Sequence, residues 1–251
     1  MYGKILTAFM VLAWTLNLAA NPVFAKAKLT VGTEKSFPPF VFEENGKLAG
    51  FEVDLVREIA EELQMGTVFV DIAFDALIPA LTAGRIDMIA AGMDITPERL
   101  EQIAFSDVYY LSPDAVVVQK TAEGLSEIAD LRGMTVAVQF GTVQDQCISR
   151  QKQISVLRYQ RTDDVLRALL RKEAEVALVE ETVAREYLKK EEAFGENLRI
   201  AFTLEETAGM AFGFRKDSVP LRESVNGVLS LMEQDGRMEE LRQKWFGAVN
   251  Q

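Results

Sequence analysis

Arg99, the carboxylates Glu34, Asp94 and Glu180, and the rings of Phe37 and Phe74 are the side chains whose types and spacing could hold a small charged molecule. Arg99 closes the stretch Gly92-Met93-Asp94-Ile95-Thr96-Pro97-Glu98-Arg99, which follows the apolar run Ile86-Asp87-Met88-Ile89-Ala90-Ala91. The run reads as a strand that ends at a glycine. Thr96-Pro97 is a helix start, with a hydroxyl at the N-cap and proline at the first helical position. Free backbone N–H groups and a guanidinium in one small region suit a carboxylate, which arginine grips with two parallel hydrogen bonds. The same residues also read as an ordinary strand-to-helix connection with a solvated arginine, so the rest of the chain has to decide.

Composition removes whole classes of chemistry. Histidine is absent and Cys147 is the only cysteine. That excludes a Ser-His-Asp triad, a Cys-His nucleophile pair, histidine-based zinc sites and an internal disulfide. A formal charge of −11 repels nucleic acid and anionic lipid, so no nucleic-acid partner is expected. The 49% hydrophobic content argues for a packed globule.

Residues 1–25 read as a secretory signal. Lys4 supplies the positive start, an apolar stretch runs from Ile5 to Leu18, and Val23-Phe24-Ala25 carries small residues at the last and third-last positions. A membrane anchor is the rival, but Thr7, Thr15 and Asn17 interrupt a run already short for a spanning helix. With cleavage after Ala25 and no nearby cysteine for a lipid, the expected location is the periplasm.

Residues 29–33 read as a strand, followed by a rigid aromatic turn, because Pro38 and Pro39 forbid both helix and central strand. Asn45-Gly46 signals a hairpin. Helical spacing over 51–63 sets Val53, Val56, Ile59, Ala60 and Leu63 on one face and acids on the other. A strand at 68–72, a helix at 75–83 and a strand at 86–91 complete a block whose alternation indicates a parallel α/β sheet. The pattern breaks near 109–113. A strand at 115–119, a helix at 126–131, a strand at 134–138, a glycine turn at 140–142, a strand at 156–159, a helix at 162–171 and a strand at 176–179 then repeat the block in outline. A strand at 210–214 and helices at 221–234 and 237–245 close the chain. The expected fold is α/β with two lobes: 26–110 in the first, 111–207 in the second, and 208–251 returning to the first. Two chain crossings would form a hinge.

Ligands of open α/β sheets bind beyond the carboxyl ends of the strands. Collecting those positions gives Glu34 and Phe37, then Phe74, then Gly92, Asp94 and Arg99; the second block adds Gln139, Thr142, Val143 and Glu180. Two lobes face to face would place them around one cleft, a site for a small zwitterion. Each also has a plain structural reading. Phe37 and Phe74 could be core, Glu34 a solvated loop charge, Asp94 a turn residue, Glu180 an acid at a helix N-terminus, and Gly141-Thr142 a mere turn.

The chain resembles the extracellular solute-binding proteins of family 3, which deliver polar amino acids to ABC transporters, over almost all of its mature length. The resemblance rests on GTEKSFPPF, GFEVDLVREIA, FDALIPAL, GRIDMIAAGMDITPER, Gly141-Thr142 and the closing KWFG at 244–247. GMDITPER with Gln139 and Glu180 looks most like the arginine-binding members. The resemblance implies the two-lobed type II periplasmic-binding fold, each lobe a mixed, mostly parallel sheet flanked by helices. It implies an amino acid ligand, a membrane permease as partner, action as a monomer, and no cofactor, metal or catalytic residue. Arg99 would hold the ligand α-carboxylate, helped by backbone N–H groups near Asp94 and Val143. Asp94 and Glu180, with the carbonyl of Gly92, would pair with the α-ammonium. Phe37 and Phe74 would sandwich the side chain, and Glu34 and Gln139 would face its far end. The chain departs from the family where Glu180 replaces a common Asp, Val143 a common Thr, and Asp94 a frequent Ser or Thr.

Charge matching points to arginine, then lysine or ornithine: three acids stand against Arg99, and phenyl faces suit a guanidinium. Two other classes stay open. Cyclohexadienyl dehydratases resemble this family, and a buried Glu180 could serve there as general acid. A raised Glu180 pKa together with a cation near Glu34 would favour that enzyme. A ligand-sensing receptor subunit would differ only in its partner.

Overall fold

The computed structural model describes residues 27–205 and 209–247; the expected leader, 1–25, lies outside them. The chain opens with β1 (Lys28–Thr33), followed by β2 (Ser36–Phe37), β3 (Val41–Glu44) and β4 (Lys47–Ala49). The last three form a small antiparallel sheet, its hairpin turned at Asn45-Gly46. Then come α1 (Phe51–Glu62), β5 (Gly66–Asp71), α2 (Leu77–Thr82), β6 (Met88–Ile89), α3 (Pro97–Leu100) and β7 (Ala104–Phe105). After β8 (Tyr110–Leu111) the second block contains β9 (Asp114–Gln119), β10 (Thr135–Gln139), α4 (Val143–Ser149), β11 (Ser155–Tyr159), α5 (Thr162–Leu170) and β12 (Val176–Glu180). It ends with α6 (Glu181–Lys190), α7 (Glu192–Asn197) and β13 (Leu198–Leu204). β14 (Gly209–Met210), β15 (Gly213–Phe214), α8 (Val219–Asp235) and α9 (Arg237–Phe246) finish the chain.

These strands build two five-stranded sheets, β5-β1-β6-β15-β7 and β11-β10-β12-β9-β13, one per lobe of a mixed α/β fold. β15 runs against both neighbours in the first sheet, and β9 does so in the second. Both are strands by which the chain enters a sheet from the other lobe, so they begin at the edge where the parallel strands end. The two crossings lie side by side, with β8 and β14 paired antiparallel.

Several elements differ from their sequence reading. The strand expected over 86–91 is only Met88–Ile89, although Asp87 and Ala90 extend its bonding to Thr30 and Gly32. The helix expected from 75 opens as a 3₁₀ turn, Phe74–Ala76, and the one at 126–131 is only a 3₁₀ turn, Ile128–Leu131. The strand at 210–214 is divided: β14 bonds to the crossing strand β8 and β15 to the first sheet. On α1 the acidic face is interrupted, because Glu52 is fully buried with Phe51, Val53 and Leu55. Periodicity reports the average face of a helix, and a single inward acid is invisible to it.

The closing helices pack on α1. The Lys244 ammonium and Trp245 indole N–H both donate to Asp54, at 2.7 and 3.0 Å. Phe246 joins Phe40, Phe51 and Tyr110 in one aromatic cluster. The start of α1 is locked from the other side, where the Phe51 and Glu52 amides donate to the carbonyls of Pro39 and Phe40. Gly50 makes that turn possible with φ 132°, and a Cβ there would lie 2.1 Å from the Phe40 carbonyl oxygen. Gly50→Ala should therefore cost roughly 3 kcal/mol or more, from backbone strain plus overlap with main-chain atoms that cannot swing aside. Urea unfolding of the mature chain measures this; a loss under about 0.5 kcal/mol, the scale of an ordinary surface change, would contradict it.

Candidate functional site

The carboxyl ends of the parallel strands of both sheets meet at a cavity with about 580 Å³ of space not filled by protein atoms, part of it open to solvent. Of the positions expected from sequence, Glu34, Phe37, Phe74, Gly92, Asp94, Gln139, Thr142 and Glu180 all line it. Arg99 and Val143 do not. Arg99 is 5% exposed, its guanidinium donating to the carbonyls of Asp94 (2.6 Å) and, in the other lobe, Gly141 (3.1 Å). It also lies 5.3 Å from the centre of the Phe74 ring. Val143 lines a separate recess with Cys147 and Arg150.

Local rules explain the placements. Thr96 caps α3 by accepting from the Arg99 amide at 3.2 Å, with Pro97 next, as the sequence indicates. Thr142 caps α4 and donates to the Gln139 carbonyl at 2.8 Å. Glu180 combines two of its readings: Oε2 caps α6 by accepting from the Val183 amide at 2.6 Å, while buried Oε1 has no hydrogen-bond partner in the protein. Phe37 stacks on Phe40, and Gly92 has φ 58° beneath it; a Cβ on Gly92 would meet the Phe37 ring at 2.3 Å. The Gly92 turn is held by Glu52, both of whose oxygens accept from the Gly92 N–H at 2.9 and 3.1 Å, with the Tyr109 hydroxyl as second donor.

Other site residues escaped the sequence reading. Ser112 and Asp114 line the cavity because β9 is antiparallel and starts at the cleft edge, Asp114 pairing with Glu180 in register. Thr162 lines it from the first position of α5, and the preceding Arg161, the N-cap, brings Nη1 within 3.5 Å of Glu34 Oε1. Extending the strand-end rule to the strand at 156–159 would have found both. Arg161 is the cation near Glu34 that the sequence motifs left out.

Burial sets the electrostatics. It pushes Glu180 and Glu52 up to about 7 and Asp114 up to about 6, against the pull of neighbouring donors. Glu34 is raised by the same cause, with Ser36, Arg161 and Gln139 drawing it back. Among the described residues no lysine or arginine lines the cavity, and no cluster of three or more His, Cys, Asp or Glu could hold a metal ion. The acids on the wall, Glu34, Asp94, Asp114 and Glu180, suit recognition of a molecule that carries a cationic group.

The family model for bacterial extracellular solute-binding proteins, family 3, matches residues 29–248. The arginine-binding extracellular protein ArtP of Bacillus subtilis is 34% identical over 224 residues, covering 88% of this chain and 87% of ArtP. The histidine-binding periplasmic protein of Salmonella typhimurium is 30% identical over 250 residues, 96% and 95% of the two chains. An ancestral arginine-binding protein solved with arginine superposes with a TM-score of 0.85 at 34% identity, over 89% of this chain and all of that one. The ancestral amino acid-binding protein AncCDT-1, a precursor of cyclohexadienyl dehydratase, superposes at 0.80 with 30% identity, over 88% and 96%.

The raised carboxyls fix the sign of a pH effect. Glu52, Glu180 and Asp114 hold protons in the folded protein up to about 7, 7 and 6, and release them near 4 when unfolded. The folded state thus binds more protons in this window, and stability falls as pH rises through it. For protein stripped of ligand, the urea midpoint should drop from pH 5 to pH 8, and less steeply in a Glu52→Gln, Glu180→Gln double variant. Equal slopes for the variant and the parent would refute this account.

Proposed function

The chain belongs to the bacterial extracellular solute-binding proteins of family 3, and from that membership we propose that it captures a polar, preferentially cationic amino acid for an ABC-transporter permease. Arginine ranks first, then lysine or ornithine. We assign residues 1–25 to a cleaved leader, the periplasm as the place of action, 26–110 with 208–251 to one lobe, and 111–207 to the other. The observation that carries the reading is Glu180 Oε1, a buried carboxylate oxygen on the cavity wall that accepts no hydrogen bond from within the protein. An α-ammonium supplies one.

The ligand α-carboxylate takes the Arg99 guanidinium from the carbonyls of Asp94 and Gly141, since a carboxylate is the stronger, two-pronged acceptor. Backbone N–H groups near Asp94 and Val143 assist. Asp94, Glu180 and the Gly92 carbonyl hold the ammonium. Phe37 and Phe74 flank the side chain, whose far end meets Glu34 and Gln139. Because these groups come from both lobes, ligand is fully held only when the lobes meet, and its binding energy selects that arrangement through the β8–β14 crossing.

A second reading is favoured by two observations. Burial pushes Glu180 up to about 7, and Arg161 stands beside Glu34, the two features an acid-assisted dehydration of a prephenate-like dicarboxylate would use. Arg161 approaches from outside the cavity lining, which favours binding over catalysis.

Calorimetric titration of the mature protein, refolded to remove carried ligand, separates these readings. Arginine should bind, with binding lost in Arg99→Ala and weakened in Glu34→Gln. An ammonium lowers the Glu180 pKa, so ligand prefers the ionised site, and affinity should fall by up to about tenfold per pH unit below about 7. Binding only of acidic amino acids would overturn the charge argument. Consumption of prephenate without amino acid binding would replace the receptor with the enzyme.

A further inference from the structure

Glu34 stands at the side-chain end of the cleft, yet its oxygens are already engaged. Oε1 accepts from the Ser36 amide at 3.0 Å, and Oε2 from the Ser36 hydroxyl at 2.7 Å and the Gln139 amide at 3.4 Å. Arg161 Nη1 completes the set as an ion pair, 3.5 Å from Oε1. An ionised carboxylate has about four acceptor positions, so Glu34 acts on a ligand guanidinium through its charge rather than through a free acceptor. Gln139 is engaged too, donating to the Gln160 carbonyl and accepting from the Thr162 hydroxyl, each at 3.0 Å.

Arg161 does not line the cavity. It sits in an outer recess with Lys35, Lys190 and Tyr187, while Asp163 accepts from its Nε at 3.3 Å. Its charge therefore reaches Glu34 from behind. A cationic side chain arriving in the cleft is drawn to Glu34 and repelled by Arg161; an uncharged amide feels neither strongly. Coulomb energy falls with distance, so Arg161, standing behind Glu34, offsets part of that attraction.

We propose that Arg161 is a specificity-determining residue: by neutralising Glu34 from outside the cleft, it lets the side-chain end accept an uncharged amide, as in glutamine, nearly as well as a guanidinium. This rests on the amino acid reading above, with the ligand side chain directed at Glu34.

The test is the ratio of the glutamine to the arginine dissociation constant, measured by calorimetry on the parent protein, Arg161→Gln and Arg161→Lys. The ratio should rise roughly tenfold in Arg161→Gln, about 1.4 kcal/mol of new preference for arginine. It should stay near the parent value in Arg161→Lys, which keeps the charge. The Glu34 carboxyl, followed by carbon NMR, should titrate higher in Arg161→Gln. A merely structural role would weaken both ligands together and leave the ratio unchanged. An unchanged ratio with both amino acids still bound would overturn the role of Arg161 and spare the receptor. Absence of any amino acid binding to the parent protein would overturn both.

Discussion

Both oxygens of Glu52 converge on the single N–H of Gly92, and the Tyr109 hydroxyl donates to the same carboxyl. Glu52 lies in the first turn of α1, whose start is locked to the carbonyls of Pro39 and Phe40. The turn that carries Asp94 and Arg99 is thereby referenced to the segment that carries Glu34 and Phe37. Without this bond the glycine N–H in the turn beyond the two-residue strand β6 would lie buried and unpaired, a cost of about 1–3 kcal/mol. Burial of the acid is tolerable because its pKa rises to about 7, so a proton can replace the missing counter-charge.

Polar, directional contacts join the lobes beside an apolar cluster that holds buried residues of both, Phe40 and Val183 among them. Ser36 is the hub on one side: its hydroxyl accepts from the Thr162 amide at 3.0 Å, and its carbonyl accepts from the Tyr187 hydroxyl at 2.9 Å. Arg99 joins the lobes on the other side through Gly141. Each such bond is worth about 1 kcal/mol net, because water competes for the same groups. An interface of this kind can part and re-form, and a ligand with groups for both lobes can tip the balance.

Much of this was legible because it is local. Alternating strands and helices give two α/β blocks, and glycine, threonine and proline mark where strands end and helices begin. The strand-end rule then puts Glu34, Phe74, Gly92, Gln139 and Glu180 at one cleft. Arg161 and Thr162 follow from the same rule applied to the strand at 156–159, so their signal was present and unused.

What only the tertiary structure decided is how charges pair across the chain. Arg161 meets Glu34 from more than a hundred residues away, and Glu52 turns inward from a helix whose pattern places acids in water. The reversed direction of β9, which brings Asp114 beside Glu180, depends on how the chain crosses between lobes. Periodicity, caps and turn residues record interactions among near neighbours in sequence, and they fix the elements and the edge where a site must lie. The protonation and free acceptors of that site depend on desolvation and on partners that only folding brings within a few ångströms.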